Sequence, residues 1–111
     1  MEYRVDVSES ADRDLDAILT YIVEELASPK AASDFADEID AKYEMLETHP
    51  FMFELSRNER LAKMGYRRFV VGNYIALYLV DEGKHIVTIS RIFKVDYQRQ
   101  QVLLDVGNTF I

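Results

Sequence analysis

The 111 residues include no cysteine, which removes disulfides, thiolate metal sites and cysteine nucleophiles in one step and fits a reducing compartment. Long apolar runs are missing as well. The longest, from Phe69 to Val80, is interrupted by Gly72 and Asn73 and falls short of a membrane span. The start, Met1-Glu2-Tyr3-Arg4-Val5-Asp6, has neither the basic opening nor the apolar stretch of a signal peptide, so a cytoplasmic protein is expected. Catalytic signatures are scarce too: no glycine-rich phosphate loop, no His-Glu-x-x-His and no Gly-x-Ser-x-Gly elbow occurs. The two histidines, His49 before Pro50 and His85 after a turn, read as structural or solvated. The many carboxylates lie on polar helix faces, so neither a metal site nor a cofactor is expected.

What is present is apolar and acidic. An apolar content of 49% is ample for one core, and the length allows only one domain, over residues 1–111, with 105–111 as a frayed tail. The net charge of −7 is uneven: residues 1–50 carry −10 and residues 51–111 carry +3. Between Arg57 and Arg68, the cations Arg57, Arg60, Lys63, Arg67 and Arg68 face a single acid, Glu59. The whole-molecule charge disfavours non-specific nucleic-acid binding, while this one patch suits a polyanion or an acidic protein segment, or is plain solvated surface.

Periodicity divides the chain into elements. Tyr3, Val5 and Val7 alternate with polar residues as in a short strand, and Ser8 is placed to cap a helix. Ala11, Leu15, Ile18, Ile22 and Leu26 form one helical stripe. Ser28-Pro29 then opens a second helix that buries Ala32, Phe35, Ala36, Ile39, Tyr43 and Leu46 and ends by His49-Pro50. The short link makes the pair an antiparallel hairpin. Residues 50–65 show no clear period apart from a helical turn near Glu59–Lys63, with Phe51, Phe53 and Leu55 pinning the segment to the core. Three strands follow, Tyr66–Val71, Tyr74–Val80 and His85–Phe93, joined by Gly72-Asn73 and Asp81-Glu82-Gly83-Lys84 turns. Asp96 caps a short terminal helix containing Val102, Leu103 and Leu104. The fold class is α+β: an N-terminal strand, an antiparallel two-helix hairpin on a mainly antiparallel four-stranded sheet, and a short C-terminal helix.

The strands place cations among apolar residues. Tyr66, Arg68 and Val70 share one face, and Arg67, Phe69 and Val71 the other. In the next strand Ile75, Leu77 and Leu79 are the more apolar set, which leaves Tyr74, Ala76 and Tyr78 for the face away from the helix hairpin. A Tyr-lined face rimmed by Arg suits stacked bases and phosphates, and equally a protein partner.

The chain resembles the RelE/ParE superfamily of toxins from type II toxin–antitoxin modules, the plasmid-stabilisation proteins, over about residues 3–97. The resemblance rests on Ser8-x-x-Ala11-x-x-Asp14-Leu15-x-x-Ile18-x-x-Tyr21-Ile22, Ser28-Pro29-x-Ala31-Ala32-x-x-Phe35 and Leu46-x-x-x-Pro50. It continues through Gly65-Tyr66-Arg67, Asn73-Tyr74-x-x-x-Tyr78-x-Val80 and Ile89-x-Arg91-Ile92. No single piece is specific; their order and spacing together are. The resemblance implies the same fold and two alternative activities. RelE-like members cut messenger RNA on the ribosome without metal, and Arg67 matches their phosphate-stabilising Arg, with Arg91, Lys94 and Tyr97 as the accompanying candidates. ParE-like members inhibit DNA gyrase and lack that set. Here Arg91-Ile92-Phe93-Lys94-Val95-Asp96-Tyr97 carries no paired Arg before Asp96, which favours the ParE-like kind. A third reading is a non-toxic member kept for protein binding. The resemblance also implies a cognate antitoxin, expected on Arg57, Arg60, Lys63, Arg67, Arg68, Tyr74 and Tyr78, with gyrase or ribosome and message as the cellular target. No membrane is implied, and a homodimer is left open.

Overall fold

The computed structural model of the protein describes residues 2–95. Strand β1, Arg4–Val7, runs directly into helix α1, Glu9–Glu24. Ser8 makes the change of direction: its hydroxyl accepts from the Ala11 N–H at 3.0 Å and fills one of the donors that a helix start leaves unpaired. Helix α2, Pro29–Thr48, opens the same way, with the Ser28 hydroxyl 3.1 Å from the Ala31 N–H and Pro29 in the first turn. Four residues connect the helices, as an antiparallel hairpin requires. Leu26, expected to extend the α1 stripe, lies outside the helix and is exposed. The chain has already left the helical path there, because Ala27 takes a left-handed φ of 51°.

After an irregular stretch comes α3, Glu59–Lys63, the turn the sequence suggested, capped by the Asn58 side-chain oxygen at 3.1 Å from the Leu61 N–H. Strands β2, Arg67–Val71, β3, Tyr74–Asp81, and β4, Ile86–Lys94, complete the described chain. Val71 stands opposite Tyr74 across Gly72-Asn73, where Gly72 supplies a φ of 57° that a side chain would resist. The sheet order is β1-β4-β3-β2, with β1 parallel to β4 and the other pairs antiparallel. The sheet is therefore mixed, with a single parallel pair at one edge. The terminal helix expected from Asp96 and the tail 105–111 lie outside the described residues.

One core fills the space between the hairpin and the sheet. Ala11, Ile18, Ile22, Ala32, Ile39 and Leu46 of the helices meet Phe69, Val71, Ala76, Tyr78, Val87, Ile89 and Ile92 of the strands. A smaller cluster, Leu61, Tyr66 and Leu77 with Leu79 and Phe93, lies under α3 on the opposite side. This corrects the expected facing of β3. Tyr74, Ala76 and Tyr78 point at the helices, and the Leu77 side is the one away from them. Both sheet faces are apolar because each carries a cover, so the more apolar of two sets on one strand did not identify the helix side. Tyr78 is tolerated at full burial because its hydroxyl donates to the Pro50 carbonyl at 3.0 Å; left unpaired it would cost about 1–3 kcal/mol. Phe53 packs on this ring and on Phe69, with centroids 6.5 and 5.5 Å away, whereas Phe51 and Leu55 stay 44% exposed and do not pin the segment.

Candidate functional site

The sheet distributes the expected site residues rather than gathering them. Arg67 opens β2 opposite Tyr78, Arg91 lies opposite Leu77, and Lys94 ends β4 opposite Tyr74. Four positions of β3 thus separate the Arg67 row from the Lys94 row, roughly 13 Å at strand spacing. Tyr97 lies outside the described residues.

Each arginine in the strands has a structural neighbourhood. Arg67 donates from Nη1 to the Phe53 carbonyl at 2.7 Å and to the Phe51 carbonyl at 3.4 Å, and its guanidinium lies 5.1 Å from the centroid of the Phe51 ring. It therefore holds the chain that follows α2 by two acceptors and a stacked ring at once. Arg91 reaches the other side of the molecule. Its Nε and Nη2 donate to the two Asp14 carboxylate oxygens at 2.7 and 3.2 Å, and the same carboxylate accepts the Ile92 N–H at 2.9 Å. Arg68 is buried on the face opposite Arg67, so it is not a surface contact. Tyr78 is buried as well, and Tyr74 is half-buried with its ring edge-on to Phe35 at 5.4 Å. Burial pushes the Tyr78 hydroxyl up to about 12, with the Arg67 charge opposing it in part.

Of the cations expected to meet the antitoxin, Arg57, Arg60 and Lys63 are exposed, all on or beside α3, with Arg57 3.5 Å from Glu54. Among the described residues no group of three or more His, Cys, Asp or Glu side chains is placed to hold a metal ion. The arrangement sets exposed cations beside exposed apolar side chains, on a backbone held by hydrogen bonds from Arg67 and Tyr78.

The sequence assigns no partner role to Asp14 or to the Phe51 and Phe53 carbonyls. Asp14 was grouped with the solvated carboxylates, yet it lies three residues after Ala11 and four before Ile18, which sets it on the buried stripe. That spacing was the available signal that it needed a partner. The Phe51 and Phe53 carbonyls left no signal, because backbone acceptors have no side-chain pattern.

Comparison with known proteins gives the family and the fold. Residues 5–98 match the family described as the ParE toxin of the type II toxin-antitoxin system parDE. The chain belongs to that family. It is 35% identical over 83 residues to toxin ParE1 of Caulobacter vibrioides, a match that covers 75% of this chain and 82% of the relative. Among solved structures, a chain of the chromosomal ParDE system of P. aeruginosa is similar with a TM-score of 0.66 and 21% identity, over 85% of this chain and 97% of the other. A mutant of the E. coli RelE toxin in the free state gives a TM-score of 0.64 at 14% identity, with all of both chains covered. At those identities the structural likeness speaks for the fold, while the family match makes the protein a type II toxin of the ParE/RelE kind.

Proposed function

We propose that this ParE-family toxin acts by binding a cellular protein, with DNA gyrase the expected target, and that a cognate antitoxin neutralises it. The observation that carries this reading is the anchoring of Arg67 and Arg91. A nuclease of the RelE-like kind needs a guanidinium presented to charge that grows on a scissile phosphate. Arg91 is instead closed against the Asp14 carboxylate, and Arg67 is turned onto the Phe53 carbonyl and the Phe51 ring. The relative named toxin ParE1 supports the same direction. No helix among the described residues is long and apolar enough to cross a membrane, which fits a cytoplasmic site of action.

The exposed cations Arg57, Arg60 and Lys63 are the expected point of arrival for an acidic antitoxin segment, because opposite charge raises the encounter rate and orients the approach. The test uses purified protein in two assays side by side. Supercoiling by gyrase is expected to fall with added protein while message on translating ribosomes stays uncut. Codon-positioned cleavage of ribosome-bound message, lost in Arg67→Ala, would instead establish the nuclease and overturn the binding reading.

A further inference from the structure

The three methionines among the described residues, Met45, Met52 and Met64, are exposed by 42, 51 and 48% and lie within twenty positions of one another. Phe51 and Leu55, each 44% exposed, fall in the same stretch. Large, adaptable apolar side chains left in water along one stretch of chain suit contact with a partner. The backbone that carries it is nonetheless fixed. Tyr78 donates to the Pro50 carbonyl at 3.0 Å, Arg67 to Phe53 and Phe51 at 2.7 and 3.4 Å, and the Arg68 N–H to the Glu54 carbonyl at 3.0 Å. Ser56 closes the ladder, its N–H donating to the Tyr66 carbonyl at 2.8 Å. A segment without regular structure is thus held rigid while Phe51, Met52 and Leu55 remain outside.

The charge around this strip is mainly positive. Lys42 Nζ lies 5.6 Å from the Phe53 ring centroid, Arg67 sits over Phe51, and Arg57, Arg60 and Lys63 continue along the chain. Glu54 and Glu59 are the acids among them, and Glu54 is already 3.5 Å from Arg57. We infer that the segment from Phe51 to Leu55 is a preformed docking strip for an amphipathic acidic stretch of the antitoxin, and that Arg67 is its positioning residue. This inference rests on the toxin reading above and extends it from the cationic patch to a named apolar surface. Apolar side chains of the partner would cover Phe51, Met52 and Leu55 while its carboxylates meet the flanking cations. Arg67 contributes by meeting both carbonyls from Nη1 while its planar guanidinium lies over the Phe51 ring, a stacking that a lysine ammonium does not reproduce.

The experiment takes as its probe the purified protein whose co-expression relieves the growth arrest caused by this chain. Calorimetric affinity is measured for wild type, for Met52→Ser combined with Leu55→Ser, and for Arg67→Lys and Phe51→Ala singly and together. The exposed double variant is expected to weaken binding at least about tenfold with an unchanged melting temperature, as loss of interface anchors does. Arg67→Lys is expected to weaken binding too, and to add little once Phe51→Ala is present, because both act through one surface. A purely structural Arg67 would give additive losses that track the melting temperature, and that result overturns its positioning role. Unchanged affinity in the double variant overturns the strip while leaving the toxin reading intact. Failure of the wild type to arrest growth overturns the toxin reading itself, and with it the named occupant.

Discussion

The two edges of the sheet are closed by different chemistry. At the β1 edge, β1 pairs with β4 along Ile86–Ile89 and then leaves as α1, so the Ile92 N–H of β4 beyond it is met by the Asp14 carboxylate at 2.9 Å. That carboxylate also holds Arg91, 77 positions away, with both side chains less than a quarter exposed. At the β2 edge the chain supplies its own neighbour, residues 54–56, and Arg67 and Tyr78 fasten the stretch before it through backbone carbonyls. One joint is ionic and ties a helix to the sheet. The other is neutral on its acceptor side and fixes a loop. A cation within an apolar strand is therefore no guide to function by its type alone; the acceptor it meets decides whether it serves stability or the shape of a surface.

The ionic joint should give the largest effect when broken. Asp14→Ala removes the counter-charge of Arg91 and the acceptor of Ile92 together, and is expected to cost about 3 kcal/mol by urea denaturation. Asp14→Asn should lose less, since its amide oxygen still accepts the Ile92 N–H. A loss under about 1 kcal/mol for Asp14→Ala would put this pair among ordinary exposed ones and erase the contrast between the edges.

The neutral joint should respond less. Tyr78→Phe leaves the buried Pro50 carbonyl without its donor and is expected to cost about 1–2 kcal/mol, seen as a lower melting temperature. The smallest effect belongs to a tyrosine with the same burial chemistry and no partner. The Tyr43 hydroxyl is buried against the same core and finds no hydrogen bond, so Tyr43→Phe should be neutral or slightly stabilising. Both hydroxyls titrate at about 12 rather than the usual 10, Tyr43 through burial first and then the charges of Asp12 and Asp40. The fold favours the neutral phenol, so this contribution is complete below about pH 10 and is lost as the pH rises towards about 12. Tyr43→Phe should therefore make the alkaline loss of stability shallower, which tyrosinate absorbance and circular dichroism can follow together.

What the sequence determined by itself was the capping and turn chemistry carried by local signals. Ser8 and Ser28 cap the helices they were expected to cap, the Glu59–Lys63 turn stands as expected, and Gly72-Asn73 joins the strands it was expected to join. The family, too, was legible, because ordered spacings over most of the chain are a property of sequence. Only the tertiary structure decided which face of β3 meets the helices, since two covered faces give two apolar sets and alternation cannot rank them. It alone decided the fate of the cations. Asp14 and Arg91 become partners because β4 returns beside the start of α1, and Arg67 becomes a clamp because residues 51–53 pass within reach of its guanidinium. Charge on a side chain is written in the sequence, but the acceptor that satisfies it is set by contacts between distant segments, and where that acceptor is a carbonyl no residue type announces it.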